Sequence, residues 1–142
     1  LRRLTVEGAT GLYDTNYEGK AEAAIRELER KDFVFLHVEA SDEAGHEGDV
    51  DLKIRTIEYL DRRIVGPIYE AVKDWKEPVA IAILPDHPTF CRIRTHVNEP
   101  VPFVICKPGV TPDTVDVYDE QAARNGSYGL LSDNAFIKTL LN

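Results

Sequence analysis

Methionine is absent from the 142 residues, tryptophan occurs once and cysteine twice. A chain without methionine is an intact translation product only if its initiator was removed, and removal before a residue as bulky as Leu1 is unusual. The expectation is a segment of a longer protein whose N-terminal part lies outside this sequence. Cys91 and Cys106 lack the CxxC spacing of a metal knuckle. They fit reduced thiols in a cytoplasmic protein better than a disulfide framework. No apolar run approaches the roughly 20 residues that cross a bilayer, and no secretory segment opens the chain, so no membrane partner is expected. Basic residues are also scarce, 17 against 25 acidic ones for a net charge of −8, and nothing resembles the basic stripe of a nucleic-acid binder. An acidic balance is compatible with divalent cations, although most soluble proteins carry it as solvated surface.

What is present is 43% hydrophobic residues, enough for one core in a chain of this size. Glu7-Gly-Ala-Thr-Gly11 interrupts a short extended stretch at Leu1–Val6. Its glycines permit a tight turn, and it has neither GxGxxG nor Walker spacing for cradling phosphate. Asp14, Thr15 and Asn16 are good N-caps for a helix whose apolar face is Ala21, Ala24, Ile25 and Leu28, ending near Arg30-Lys31. Phe33–Val38 is nearly continuous in apolarity, as a strand covered on both faces would be, and His37 inside it reads as a packed core residue. After a polar loop, Val50, Ile54, Ile57, Ile64 and Ile68 recur at helical spacing. The outer face carries Asp49–Lys53, Asp51–Arg55 and Glu58–Arg62 as acid-before-base pairs. Gly66-Pro67 ends or kinks that helix. Val79–Leu84 and Phe103–Cys106 are further strand signals, and Val115–Tyr118 is a candidate short edge strand. Ser132 or Asp133 caps a last helix through Leu140. Alternating strand and helix predict an α/β fold with a mainly parallel sheet flanked by helices, in which ligands bind beyond the carboxyl ends of the strands.

Three of the four histidines fall in such polar stretches, as Asp42-x-x-x-His46, Asp86-His87 and His96. Mixed carboxylate and imidazole donors suit manganese, zinc or iron, and magnesium less well. Two such clusters at one sheet edge are what a two-metal centre for phosphoryl chemistry requires. The plainer alternative is exposed polar residues that bind nothing. Arg92 and Arg94 could meet a phosphate or carboxylate through the guanidinium fork, against two exposed arginines entering a strand.

Four stretches carry a family likeness. They are Gly8-Ala-Thr-Gly-x-Tyr-Asp-Thr-Asn-Tyr-Glu-Gly-Lys20, Asp42-Glu-Ala-Gly-His46 with Lys53-x-x-x-Ile57-Glu58-x-x-Asp61, Asp86-His87-Pro-Thr, and His96-x-x-x-Pro-Val-Pro102. Together they resemble the cofactor-independent phosphoglycerate mutases, most closely their archaeal-type branch, within the alkaline phosphatase superfamily. Some bacterial relatives of that branch carry a homoserine kinase label, for which no nucleotide-phosphate loop is seen here. The resemblance covers almost the whole chain, and implies that residues 1–142 are the C-terminal segment of an incomplete phosphatase- or mutase-like domain. It implies that Asp42, His46 and His96 hold one divalent ion and that Asp86 and His87 contribute to a second. The early aspartate and the serine or threonine nucleophile that complete the family's second site match no segment here, nor does its inserted substrate-capping domain.

Two divalent ions are therefore implied as cofactors, manganese first, with zinc or magnesium as alternatives. The implied substrate is a small phosphorylated molecule. The implied reaction interconverts 3-phosphoglycerate and 2-phosphoglycerate through a phosphoenzyme in the full-length protein, the segment alone being inactive. The alternatives are a metal-dependent phosphatase or phosphonate hydrolase on the same scaffold, and a non-catalytic metal-binding module. Sheet edges left unprotected would favour self-association.

Overall fold

A computed structural model describes residues 2–142, which divide into two compact units. The first comprises the described residues through Lys76 together with Thr89–His96, and the second Glu77–Pro88 with Val97–Asn142.

In the first unit, α1 (Tyr17–Leu28) begins where Asn16 can cap it. The Asn16 side-chain oxygen accepts from the Gly19 backbone N–H at 2.9 Å, while its amide donates to the Glu7 carbonyl at 2.9 Å. One residue thereby closes the helix end and the Gly8 turn, where φ of +72° suits glycine. The glycine-rich stretch is a turn folded back on its own helix. Ala21, Ala23 and Ala24 form the buried face of α1 and let its backbone approach its neighbours closely.

After α1 come α2 (Ala40–Glu47), α3 (Val50–Leu60), a π-helical turn (Asp61–Val65) and α4 (Gly66–Val72). Gly66-Pro67 does not end the helical run. Pro67 sits at the start of α4, where a missing N–H costs nothing, and the π-turn takes up the change of pitch. The core joins Tyr17, Ala21, Ala40 and Ile64, with Leu36, Val38, Tyr59, Leu60 and Ile68 packed against it. Tyr17 is fully buried and meets Tyr59 edge-on, ring centroids 5.7 Å apart. Arg63, from the π-turn, lies 4.5 Å from the Tyr17 ring centroid and 5.0 Å from that of Tyr59. It also grips the Glu18 carboxylate through two bonds of 2.5 and 2.7 Å. This places a cation on two aromatic faces and ties α1 to the π-turn.

Two expectations for this unit are corrected. The stripe Val50, Ile54, Ile57 is exposed by 50% or more, because α3 turns Leu52, Lys53 and Thr56 inward instead; Thr56 is buried, and Leu52 and Lys53 are half-buried. Phe33–Val38 is not paired as a strand, although its burial alternates, with Val34, Leu36 and Val38 half-buried and Phe33, Phe35 and His37 exposed. That period of two belongs to a strand covered on one face. His37 is accordingly no packed core residue. It is exposed, stacked on Phe35 at 6.2 Å and 3.7 Å from the Glu39 carboxylate.

Two short strands complete the first unit, β2 (Thr89–Phe90) and β3 (Thr95–His96), paired antiparallel with Thr89 opposite His96. In the second unit, β1 (Ile81–Ile83) pairs antiparallel with β4 (Val104–Cys106), Ala82 lying opposite Ile105. The frame is thus α/β, but the sheets among the described residues are two antiparallel pairs and not the mainly parallel sheet expected. Phe33–Val38, expected as a strand of that sheet, pairs with no strand among the described residues.

Phe103 anchors the second unit against Tyr128 and, edge-on at 5.3 Å, against Phe136 of α5 (Ala135–Leu141). The helix is entered from Asn134 without a side-chain cap, so neither Ser132 nor Asp133 plays that part, and Asp133 has a φ of +51°. Residues 115–118 form no strand. The Tyr118 hydroxyl there donates to the Pro102 carbonyl at 3.1 Å, and burial pushes its phenol up to about 12. No helix among the described residues is long and apolar enough to cross a membrane. Cys91 and Cys106 are both free thiols.

Candidate metal centre

The stretch expected as a polar loop, Asp42 to His46, is the helix α2. Ala40 and Ala44 are fully buried and hold α2 against the unit's core, and Gly48, at φ +73°, ends it in the left-handed conformation of a C-cap. The acid sits in the first turn and the imidazole in the last, the polarity that the helix dipole favours. On a helix, residues four apart share a face, so Asp42 and His46 point the same way.

The third residue arrives from far along the chain. Cys91–Arg94 form a tight connection in which the Ile93 and Arg94 backbone N–H groups both reach the Phe90 carbonyl, at 3.1 and 2.7 Å. Arg94 completes the turn at φ +56°, a conformation disfavoured for a side chain-bearing residue. The hairpin brings His96 beside α2. His46 Nε2 and His96 Nε2 lie 2.9 Å apart, and the two Asp42 oxygens lie 3.4 Å from them, Oδ2 from His46 and Oδ1 from His96. All three ligand atoms fall within 4.8 Å of one another.

The same turn orients His46. Its Nδ1 is 3.0 Å from the Arg94 carbonyl oxygen. A carbonyl only accepts, so Nδ1 carries the proton and a neutral ring keeps its Nε2 lone pair facing the cluster. Metal-binding histidines are held this way, by a partner on the nitrogen that does not bind. Two imidazole nitrogens at 2.9 Å repel unless a proton or a cation lies between them. The donor set of one carboxylate and two imidazoles therefore fits a divalent transition metal, with positions left open for a reactant. The side chains are 26%, 36% and 48% exposed for Asp42, His46 and His96, so the cluster is accessible from solvent.

Asp42 is held from behind. The Thr89 hydroxyl hydrogen-bonds its Oδ1, and Lys53 Nζ donates to the Thr89 carbonyl at 2.6 Å. Lys53 thus serves β2 and not an ion pair with Asp49, whose side chain instead caps α3 by accepting from the Leu52 N–H at 2.8 Å. Asp86 and His87 belong to the second unit, after β1. There the His87 N–H donates to Asp86 Oδ1 at 3.1 Å, and the ring nitrogen lies 3.4 Å from Oδ2. A groove in the first unit is lined by Phe33–His37 and by the cationic Arg2, Arg3, Lys20 and Lys31, whereas the group of metal-ligating side chains among the described residues is Asp42, His46 and His96, so the triad is the candidate metal centre.

The family motifs took in Thr89 and Lys53 but gave neither a role, and sequence reasoning missed the carbonyl of Arg94. The guanidinium of Arg94 packs against Gly48, where a Cβ would lie 2.6 Å from its Nε. Its contribution to the centre is made by its backbone, and no residue-type signal reports a carbonyl.

Residues 1–136 match the Metalloenzyme superfamily, and the chain belongs to that family. It is 49% identical over 139 residues to the 2,3-bisphosphoglycerate-independent phosphoglycerate mutase of Methanosarcina barkeri, covering 97% of this chain and 35% of that protein. It is 48% identical over 135 residues to the probable enzyme of the same name from Geobacter sulfurreducens, covering 94% and 33%. The solved structure of the PH0037 protein from Pyrococcus horikoshii matches with a TM-score of 0.91 at 38% identity, covering 97% of this chain and 41% of that one. The chain thus spans about a third of the length of the curated relatives it matches.

Proposed function

We propose that this chain is the C-terminal, metal-binding segment of a phosphoglycerate mutase that interconverts 3-phosphoglycerate and 2-phosphoglycerate in the cytoplasm without a bisphosphoglycerate cofactor. The observation that carries the proposal is the convergence of Asp42, His46 and His96 from α2 and β3. The names of the relatives, phosphoglycerate mutases at 49% and 48% identity, support this choice of reaction. A divalent cation held there, manganese first and zinc as an alternative, would supply Lewis-acid neutralisation of the charge on a transferring phosphoryl group.

The residues of this chain prepare for that charge. Asp42 brings the negative charge that attracts the cation. His46 presents Nε2 because the Arg94 carbonyl occupies Nδ1. His96 is set by its ladder position opposite Thr89. Asp86 and His87 are donors for a second ion. The hydroxyl nucleophile and the contacts to substrate come from the part of the relatives' length that this chain does not span. The complete protein would complete the mainly parallel sheet. Its partner is a small phosphorylated molecule, with neither nucleic acid nor membrane involved, and self-association is compatible with the exposed edges.

Two measurements test this. Titration of the chain with Mn²⁺ should show about one saturable site that Asp42→Ala removes. In the full-length protein carrying this segment, Asp42→Ala and His96→Ala should each abolish conversion of 3-phosphoglycerate, followed by phosphorus NMR, while the fold persists. Full conversion in either variant refutes the assignment. Release of inorganic phosphate in place of the isomer would point to a phosphatase on the same scaffold.

A further inference from the structure

Thr89 stands where every support of the triad meets. It is buried, 3% exposed, at the start of β2. Its hydroxyl bonds Asp42 Oδ1, its cross-strand partner is His96, and its carbonyl accepts from Lys53 Nζ. We infer that Thr89, clamped by Lys53, is a positioning residue of the metal centre: it sets the angle of the Asp42 carboxylate and the placement of His96 together. The inference rests on the metal reading of the triad.

The argument is one of donors and acceptors. An ionised carboxylate accepts only, so the hydroxyl must donate to Asp42, which pins Oδ1 and turns Oδ2 towards His46. The hydroxyl is itself located by the backbone that carries it. That backbone is fixed on one side by the β2–β3 pairing and on the other by an ammonium 2.6 Å from the carbonyl. The approach of α2 to β2 is so close that Gly45, one turn from Asp42, has no room for a side chain: a Cβ there would lie 2.7 Å from the Thr89 carbonyl oxygen. A buried threonine opening a strand has a plainer use as a β-branched packing residue, and the two roles separate by substitution. Thr89→Val keeps the shape and strand preference and removes the donor. Thr89→Ser keeps the donor and removes the methyl.

The experiment is Mn²⁺ titration of the chain, reading free Mn²⁺ by electron paramagnetic resonance, with circular dichroism to check folding. Supports of this kind are worth about 10- to 100-fold in metal affinity. Thr89→Val should weaken binding by that factor, while Thr89→Ser should stay within about threefold of the parent. Lys53→Met, which leaves the Thr89 side chain intact, should weaken binding about tenfold, and tests the clamp even if Thr89→Val fails to fold. Parent-like affinity in Thr89→Val or Lys53→Met overturns the inference, as does a Thr89→Ser variant as weak as Thr89→Val. A parent chain with no saturable site sensitive to Asp42→Ala would overturn the metal reading and this inference with it. A parent site that survives Thr89→Val unchanged would overturn only the role of Thr89.

Discussion

Replacing Gly45 by alanine sets two effects of known size against each other. Gly45 is buried within α2, where intrinsic preference favours alanine by about 1 kcal/mol. Packing opposes it. The added Cβ would lie 2.7 Å from the Thr89 carbonyl oxygen and 2.9 Å from both Lys53 Nζ and Thr89 Cγ2. The lysine tip can swing aside, but only by giving up a charged hydrogen bond worth about 1.5–3 kcal/mol. The carbonyl cannot swing, because it belongs to the backbone of β2, so the strand or the helix must shift, at about 1–3 kcal/mol for overpacking. These costs overlap, and together reach roughly 2–4 kcal/mol, so after the helical gain Gly45→Ala should destabilise the chain by about 1–3 kcal/mol. Urea unfolding of parent and variant measures this directly. Displacement of Thr89 should also weaken Mn²⁺ binding. A variant as stable as the parent, or more so, would show that helix preference outweighs the contact and that α2 and β2 are not packed as tightly as the distances state.

Two further outcomes follow from the first unit. Asn16→Ala removes both the cap on Gly19 and the bond to the Glu7 carbonyl, and should cost about 1 kcal/mol in a thermal melt, with Asn16→Asp, which keeps the cap acceptor alone, falling between. The Glu18 carboxyl is held below its ordinary 4.5, chiefly by its hydrogen bonds from Arg63. The folded state thus binds that proton less tightly than the unfolded state, so the stabilisation is present above pH 4.5 and fades as pH falls through the folded value. The stability gap between the parent and Glu18→Gln should close on acidification, and a gap unchanged across that range would contradict the pairing.

Local features were legible where the physics is local. Asn16 announces a helix start because a short polar side chain can reach an N–H group three residues on, and it does so. The Asp42–His46 spacing carried more than a loop reading extracted from it. A four-residue separation is a helical face, and the run of Ala40, Ala44 and Gly45 that makes α2 possible looks like turn composition when only large apolar residues are counted. The stripe Val50, Ile54, Ile57 misled for the converse reason. Periodicity identifies one face of a helix as apolar, but burial requires a partner surface, and α3 found its partner through Leu52, Lys53 and Thr56. Phe33–Val38 shows the same limit, since an alternating segment becomes a strand only when another backbone pairs with it.

The sequence by itself determined which donors this protein owns, the helical spacing of two of them, the caps of its helices and the family to which its motifs belong. Those properties reside in residue types and short separations. The family likeness already put His96 with Asp42 and His46, and the tertiary structure supplied the hairpin that carries it there from 50 residues beyond His46. The tertiary structure alone decided that a carbonyl of Arg94 selects the His46 tautomer and that Lys53 and Thr89 brace Asp42. Each of these depends on the register of a two-residue ladder and on a single left-handed turn at Arg94. Such non-local geometry is fixed by the balance of packing and hydrogen bonds across the fold, and no single residue type encodes it.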